Sequence, residues 1–439
     1  MRFARTRAAL GAFFGTGLLA VAGAAGAVVL PAGPAVAGTG VPQRGVPIPH
    51  GELFGVAETS ASNAWAVGQD YVHGKTIILH WNGTAWTRVT SPTLAGGSAL
   101  YAVAATSASN AWAVGGSDTP PGKTQILHWN GTAWKQVPSP TPKTGGALFG
   151  VTATSATNAW AVGCAGNCFQ GFGGIKTLIL HWNGVAWKQV PSPSPGNGSA
   201  LSSVTAASAN SAWAVGCTAF CFLHSVAPQT VILHWNGTAW TQVPSPAQAR
   251  IGALNGVAAT SANDVWAVGC AGHCFGQGAT TRTMAVHWNG TAWTYVASPS
   301  PASNSVLAAV TATSASNVWA VGCAGHCFGP MATTRTMIVH WNGTAWKYVA
   351  SPSPASNSVL AAVTATSASN TWAVGYTRNR YRTLIERWNG TAWKQVPSPT
   401  PGQFSQLVGV AATSASNAWA VGSDLGTTIV QHWNGTIWK

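Results

Sequence analysis

The residues best equipped for ligand chemistry lie between positions 376 and 382, where Tyr376, Arg378, Arg380, Tyr381 and Arg382 set aromatic rings among guanidinium groups. Guanidinium forks grip carboxylate, sulfate or phosphate oxygens in pairs, so this segment suits a glycan bearing such groups. Five more cations occupy the place of Arg382 elsewhere in the chain. Lys75, Lys123, Lys176, Arg282 and Arg335 each stand six residues before a Trp-Asn-Gly tripeptide, while Gln229 and Thr427 fill the two remaining such places. They read as a broken ring of positive charge and, with the 376–382 segment, make the candidate ligand site. Eight cysteines form four pairs of identical spacing: Cys164/Cys168, Cys217/Cys221, Cys270/Cys274 and Cys323/Cys327. In an exported chain such pairs read as local disulfides. His273 and His326 fall within Cys-x-x-His-Cys, but that is not a standard zinc spacing, and no metal or cofactor is expected.

Catalytic chemistry is poorly supplied. Beyond the first residues the only carboxylates are Glu52, Glu58, Asp70, Asp118, Asp264, Glu386 and Asp424. Glycoside hydrolysis normally needs a pair of them. The one grouping is Asp70, Asp118 and Asp424, which recur at the same place in neighbouring repeats and read as a small acidic patch or a weak cation site. No serine sits in a nucleophile-elbow context. These residues favour a non-catalytic binding module. The alternatives are a protein-interaction or structural scaffold and, less favoured, a glycosidase- or sialidase-like propeller enzyme.

What holds these residues in place is a repeat. Trp-Ala-Val-Gly begins at Trp65, Trp112, Trp160, Trp213, Trp266, Trp319, Trp372 and Trp419. Trp-Asn-Gly follows in each unit, and a lone Trp lies five residues further on, so three per unit account for all 24 tryptophans. Within the first unit, 53–58, 64–68, 76–81 and 85–90 are short runs rich in Val, Ile, Thr and Trp, bounded by Gly, Ser, Asn or Pro, and they read as strands. Asn82-Gly83 marks a tight hairpin between the last two. Units of 47 to 53 residues with four strands each predict an all-β fold, a single eight-bladed β-propeller of four-stranded antiparallel blades over 51–439. The tryptophans are expected to pack between blades. The histidines before Trp-Asn-Gly, in seven of eight units, are expected to serve as hydrogen-bonding strand residues.

Only 6% of residues are charged, against about 25% in ordinary soluble domains. Residues 1–37 read as a signal peptide, with Arg2, Arg5 and Arg7, an apolar run to Leu30, and Ala35-Val36-Ala37 before the cut. Removing its three arginines leaves 21 − 3 = 18 basic residues against 7 acidic ones, a net +11. In an exported monomer that balance points to a glycan, an anionic wall or extracellular polymer, or a surface protein, rather than nucleic acid. No later stretch is long and apolar enough to span a membrane. Residues 38–50 are expected to close the ring: Arg44-Gly45-Val46-Pro47-Ile48-Pro49 resembles the Gln-Val-Pro-Ser-Pro that follows other repeats and would complete the outer strand of blade eight.

The pattern Trp-Ala-Val-Gly, His-Trp-Asn-Gly-Thr-Ala-Trp, Val-Pro-Ser-Pro resembles the Trp-rich repeats of secreted bacterial proteins of β-propeller type, over nearly all of 42–439. It is more distantly similar to kelch and Asp-box propellers, whose Gly-Gly pair and Asp are absent here. The resemblance implies the fold and says little about a ligand. In such a blade, turns 1–2 and 3–4 share one face of the ring, and loop 2–3 and the blade links share the other. The first face repeats Ser-Ala-Ser-Asn and Asn-Gly-Thr-Ala; the cysteines, cations and acids all map to the second, which is the expected binding face.

Overall fold

The computed structural model describes residues 50–169, 174–196, 198–218, 228–272, 274, 281–325, 327, 334–352, 357–378 and 381–439. The 1–37 segment and Arg44–Pro49 lie outside them. Among the described residues, apart from one 3-10 turn at Ala247–Ala249, all regular structure is strand.

In blade one, β1 (Gly51–Ser60), β2 (Asn63–Asp70), β3 (Lys75–Trp81) and β4 (Trp86–Arg88) form an antiparallel sheet in chain order. Six more blades repeat this order, and blade eight has three strands plus a Trp433–Trp438 bridge. The inner strands, counterparts of β1, each contact the next around the ring, and the last (Ser405–Ser414) contacts β1. Eight blades therefore close into one ring.

Every inner strand bulges where Phe54 stands in blade one, between Leu53 and Gly55. The bulge explains the glycine of Trp-Ala-Val-Gly. A Cβ on Gly68 would lie 1.8 Å from the Glu52 carbonyl oxygen, and its seven counterparts meet the same obstruction at 1.8–2.0 Å. Its backbone φ is ordinary; closeness of the neighbouring strand alone demands glycine.

The tryptophans hold blade to blade. Trp65 is fully buried and meets two rings of the next blade, Trp129 at 4.7 Å and, edge to face, Trp134 at 5.1 Å. The cluster recurs at each junction, including Trp419 against Trp81 and Trp86 where the ring closes. Each such pair adds about 1 kcal/mol beyond burial. His80 stacks on Trp65 at 4.0 Å and its Nε2 lies 2.9 Å from Asn63 Oδ1. Burial lowers the pKa of His80 and its counterparts His128, His181, His234, His340 and His432, the last to about 4. In blade seven Arg387 takes this place, over Trp372 at 4.8 Å and donating to Asn370 Oδ1. On the same face the Asn82 side-chain oxygen accepts from the Thr84 N–H, the Thr84 hydroxyl and the Ala85 N–H, locking the tight turn.

Candidate functional site

The opposite face is built around the residue after the Trp-Ala-Val-Gly glycine. Its register partner is the first or second residue of the inner strand: Gln69 faces Glu52, Gly116 faces Ala99, Cys164 faces Ala147, Tyr376 faces Val359 and Ser423 faces Gln406. From blades three to seven these positions merge into one apolar cluster with Cys168, Cys274 and Cys327, bordered by Tyr101, Phe169 and Tyr381. Three expected disulfides are present, Cys164–Cys168, Cys270–Cys274 and Cys323–Cys327, with Cα atoms 5.6–6.1 Å apart. Cys221, His273 and His326 lie outside the described residues; Cys217 is buried in the same cluster, and no described cysteine is free. The sulfurs therefore floor one side of the channel mouth. In blades eight and one the pairs are polar instead, and in blade two they are Gly116 and Ala99.

That division decides the fate of the 376–382 segment. Tyr376 is 5% exposed and belongs to the apolar floor, so its ring is largely closed to a ligand. Burial, the largest influence, raises its hydroxyl pKa, tempered by Arg378. The Arg378 guanidinium donates to the Cys327 carbonyl of blade six at 2.5 Å, and its N–H to the Asn357 carbonyl, tying two blades together. Tyr381 stacks 6.2 Å from Tyr376 and 5.1 Å from Phe404, with φ +41°. Arg382 is exposed, and Arg380 lies outside the described residues. The segment is thus partly a structural clasp, a role its spacing did not reveal.

Lys75, Lys123, Lys176, Arg282, Arg335 and Arg382 all stand at the start of a third strand, on the loop 2–3 face, and all are exposed. None forms an ion pair among the described residues, where the only salt bridges are His73–Asp70 and His287–Asp264. Lys123 and Gln229 sit just before their strands' first paired residues. The positions do not converge on one point; they are spread around the rim.

The acids are each engaged locally. Asp70 holds His73 through its ring nitrogen and N–H; Asp118 accepts from Gln69; Asp424 accepts the Phe404 N–H. Glu52, at the polar part of the mouth, accepts from Ser423 and Gln406 across the blade eight–one seam, and burial pushes it up to about 7. Among the described residues no set of three acids, histidines or cysteines is placed to hold a metal ion. The expected acidic trio does not gather into one site. Asp264 belongs to the other face: burial raises its pKa, but hydrogen bonds from His287 and Thr260 and the His287 charge outweigh it, and the net shift is downward.

Two features had no sequence signal strong enough to find them. Tyr71, Val72, Phe404 and Leu425 are 36%, 56%, 44% and 65% exposed and lie in the loops and link of blades eight and one, where the Tyr71 hydroxyl sits against Gly426. They come from a loop and a link that differ between repeats, so only their lack of a counterpart could have drawn notice. A pocket between blades two and three, lined by Asp118, Pro121, Asn167 and Phe169 among others, encloses about 40 Å³, room for water rather than a sugar ring. No helix among the described residues is long and apolar enough to cross a membrane.

No protein-family model matches the chain, and no curated protein matches it significantly. Solved structures give a faint likeness. Sqt1 from Chaetomium thermophilum, bound to the N-terminus of a ribosomal protein, is 10% identical with a TM-score of 0.49, over 80% of this chain and 88% of its own. A GH74 enzyme from Niastella koreensis is 12% identical at 0.40, over 89% and 65%. An Aleuria aurantia lectin mutant in complex with Fucalpha1-6GlcNAc is 12% identical at 0.39, over 69% and 96%. At this level the likenesses carry no functional argument, and the eight-bladed architecture stands on the chain's own topology.

Proposed function

We propose that this chain is a secreted, non-catalytic binding module that holds an anionic glycan or cell-surface polymer along its loop 2–3 face. The observation that carries the reading is the set of six exposed cations at equivalent strand starts on one face, free of carboxylate partners among the described residues. Exposed charges of one sign, fixed on a rigid ring, attract a polyanion by summed weak contacts, each screened by salt. The buried disulfides and tryptophans keep their spacing fixed.

The test is binding of the exported protein to sulfated and carboxylated polysaccharides at low and high salt. A variant with Lys75, Lys123, Lys176, Arg282, Arg335 and Arg382 changed to Gln should lose most affinity and its salt dependence. A control with the exposed outer-strand residues Lys135, Lys188, Lys347 and Lys394 changed to Gln should keep both. Equal losses in the two would sink the assignment to the loop face. A second reading, a protein-binding scaffold, is favoured by the exposed side chains of Tyr71, Val72, Phe404 and Leu425 in blades eight and one, since gathered exposed apolar surface marks protein contacts. Salt-resistant binding to a protein partner, abolished by Leu425→Asp, would support it.

A further inference from the structure

The turn face carries a pattern that folding does not require. Seven of its eight tight turns read Asn-Gly-Thr, with Asn82, Asn130, Asn236, Asn289, Asn342, Asn389 and Asn434 each two residues before a threonine. The turn of blade three reads Asn183-Gly184-Val185 instead. Asn-x-Thr is the acceptor pattern for an N-linked oligosaccharide. One further match, Asn197-Gly198-Ser199, lies in a blade link and not in a turn. Asn197 is outside the described residues, and Ser199 is fully buried with its hydroxyl donating to the Pro195 carbonyl.

The eight turns have one shape. Every Asn is exposed, and the glycine after it has φ between +92° and +97°. In the seven threonine turns the Asn side-chain oxygen accepts from the Thr hydroxyl at 2.8–2.9 Å, beside the two backbone N–H groups already described at Asn82. The side-chain nitrogen has two hydrogens to give and bonds to nothing among the described residues. Asn183 keeps both backbone bonds, from the Val185 N–H at 3.1 Å and the Ala186 N–H at 3.0 Å, with no hydroxyl present. The turn therefore forms without the threonine hydroxyl. Solvent does not forbid valine there either, since Val185 is 83% exposed. Threonine at the other seven turns answers a demand that neither the turn nor the packing makes.

We infer, on the reading that the chain is exported, that these seven Asn are acceptors for an N-linked oligosaccharide. The co-reactant is an oligosaccharide carried on a lipid pyrophosphate. The bond from its first sugar carbon to the phosphate oxygen breaks, that carbon bonds to the Asn side-chain nitrogen, and a proton from the nitrogen leaves with the lipid pyrophosphate. The product is still an amide with its oxygen in place, so the three bonds that lock each turn survive. The sugar stands on the unbonded nitrogen at a hairpin tip, on the face opposite Lys75 and its counterparts, and leaves the cation rim uncovered. It also gives polar cover to a chain in which only 6% of residues are charged.

Peptide mapping of the protein collected outside the cells, before and after an N-glycosidase that converts each occupied Asn to Asp, tests this. The expected result is sugar on the Asn of the threonine turns and an unmodified Asn183. Val185→Thr should add sugar at Asn183. Thr132→Val should remove it from Asn130 and leave the unfolding midpoint of the deglycosylated protein where it was. Protein of bare sequence mass outside the cells overturns the assignment and leaves export standing. Sugar that stays on Asn130 in Thr132→Val, a bare Asn183 in Val185→Thr, or a lowered Thr132→Val midpoint overturns it too, the last because the fold would then explain the hydroxyl. A chain found only inside the cells overturns export and the assignment together.

Discussion

Glu386 is the most exposed weakness in the energetics of the ring, because it is not exposed at all. Its side chain is 0% accessible and both carboxylate oxygens lack a hydrogen-bond partner. Burial pushes its pKa from 4.5 up to about 8, against a smaller lowering influence of the Ser351 hydroxyl. Six other blades place Leu or Val there, and blade eight places Gln431. Because the folded pKa is raised, the folded state holds its proton between about pH 4.5 and 8 while the unfolded chain releases it. Stability from this group is therefore fully present below pH 4.5 and is lost as pH rises through about 8. Each pH unit in that window costs about 1.4 kcal/mol, so the loss is about 3 kcal/mol at pH 7 and about 5 above pH 8. Glu386→Gln keeps the shape and removes the proton, so its advantage over the wild type should grow across the window. For a ring of this size, about 3 kcal/mol corresponds to a rise of roughly 4 °C in midpoint. Thermal unfolding of both proteins at half-unit steps from pH 5 to 8.5 measures it, and the other titrating groups cancel in the difference. A Glu386→Gln advantage that does not change with pH would refute the reasoning.

Other outcomes follow from the same structure. Gly163→Ala should cost about 3 kcal/mol or more in chemical denaturation, since its Cβ would lie 2.0 Å from the Ala147 carbonyl oxygen and backbone must move. Replacing Cys164 and Cys168 together by Ala should cost about 2 kcal/mol, as expected for so short a closed loop, and thiol titration of the denatured, unreduced wild type should find no thiol at 164, 168, 270, 274, 323 or 327. His128→Gln should keep the bond to Asn110 yet lose less stability in acid. Burial lowers the His128 pKa, so the wild type has its full contribution above about pH 6.5 and loses it as pH falls through the folded value. Unfolding midpoints compared at pH 7 and 5 check this.

The fold was legible because every blade must solve the same packing problem with the same residues. Three tryptophans per unit could be counted, and the strands Asn63–Asp70 and Lys75–Trp81 fall within a residue or two of their sequence reading. Two things were not legible. The Trp-Ala-Val-Gly glycine ends a run that reads as a strand, and only the bulge opposite it shows that a neighbouring carbonyl is the reason for glycine there. The aromatic-arginine segment looked like a ligand grip because sequence records composition and not direction. Tyr376 packs into the cysteine floor and the Arg378 guanidinium donates to the Cys327 carbonyl. Lys75 and its counterparts are exposed because a strand start on a loop face leaves a long cation few places to bury.

The two faces differ in how much freedom their chemistry leaves. On the turn face Asn82 spends its side-chain oxygen on three donors, His80 is held between Trp65 and Asn63, and Trp81 donates to the Ala61 carbonyl. A residue committed to folding cannot also vary with a ligand, so that face stays the same from blade to blade. On the loop face the fold asks only for an ordered floor, met by disulfides in blades three, five and six, by Tyr376 in seven, and by hydrogen bonds among Glu52, Gln406 and Ser423 at the seam. Above that floor nothing in the packing requires a cation at the start of each third strand. A charge repeated six times without a structural demand, and spread round a rim instead of converging, fits a ligand that itself repeats. A compact anion would touch one such site; a polyanion lying along the rim reaches several, and its affinity should therefore fall by a similar factor for each cation removed.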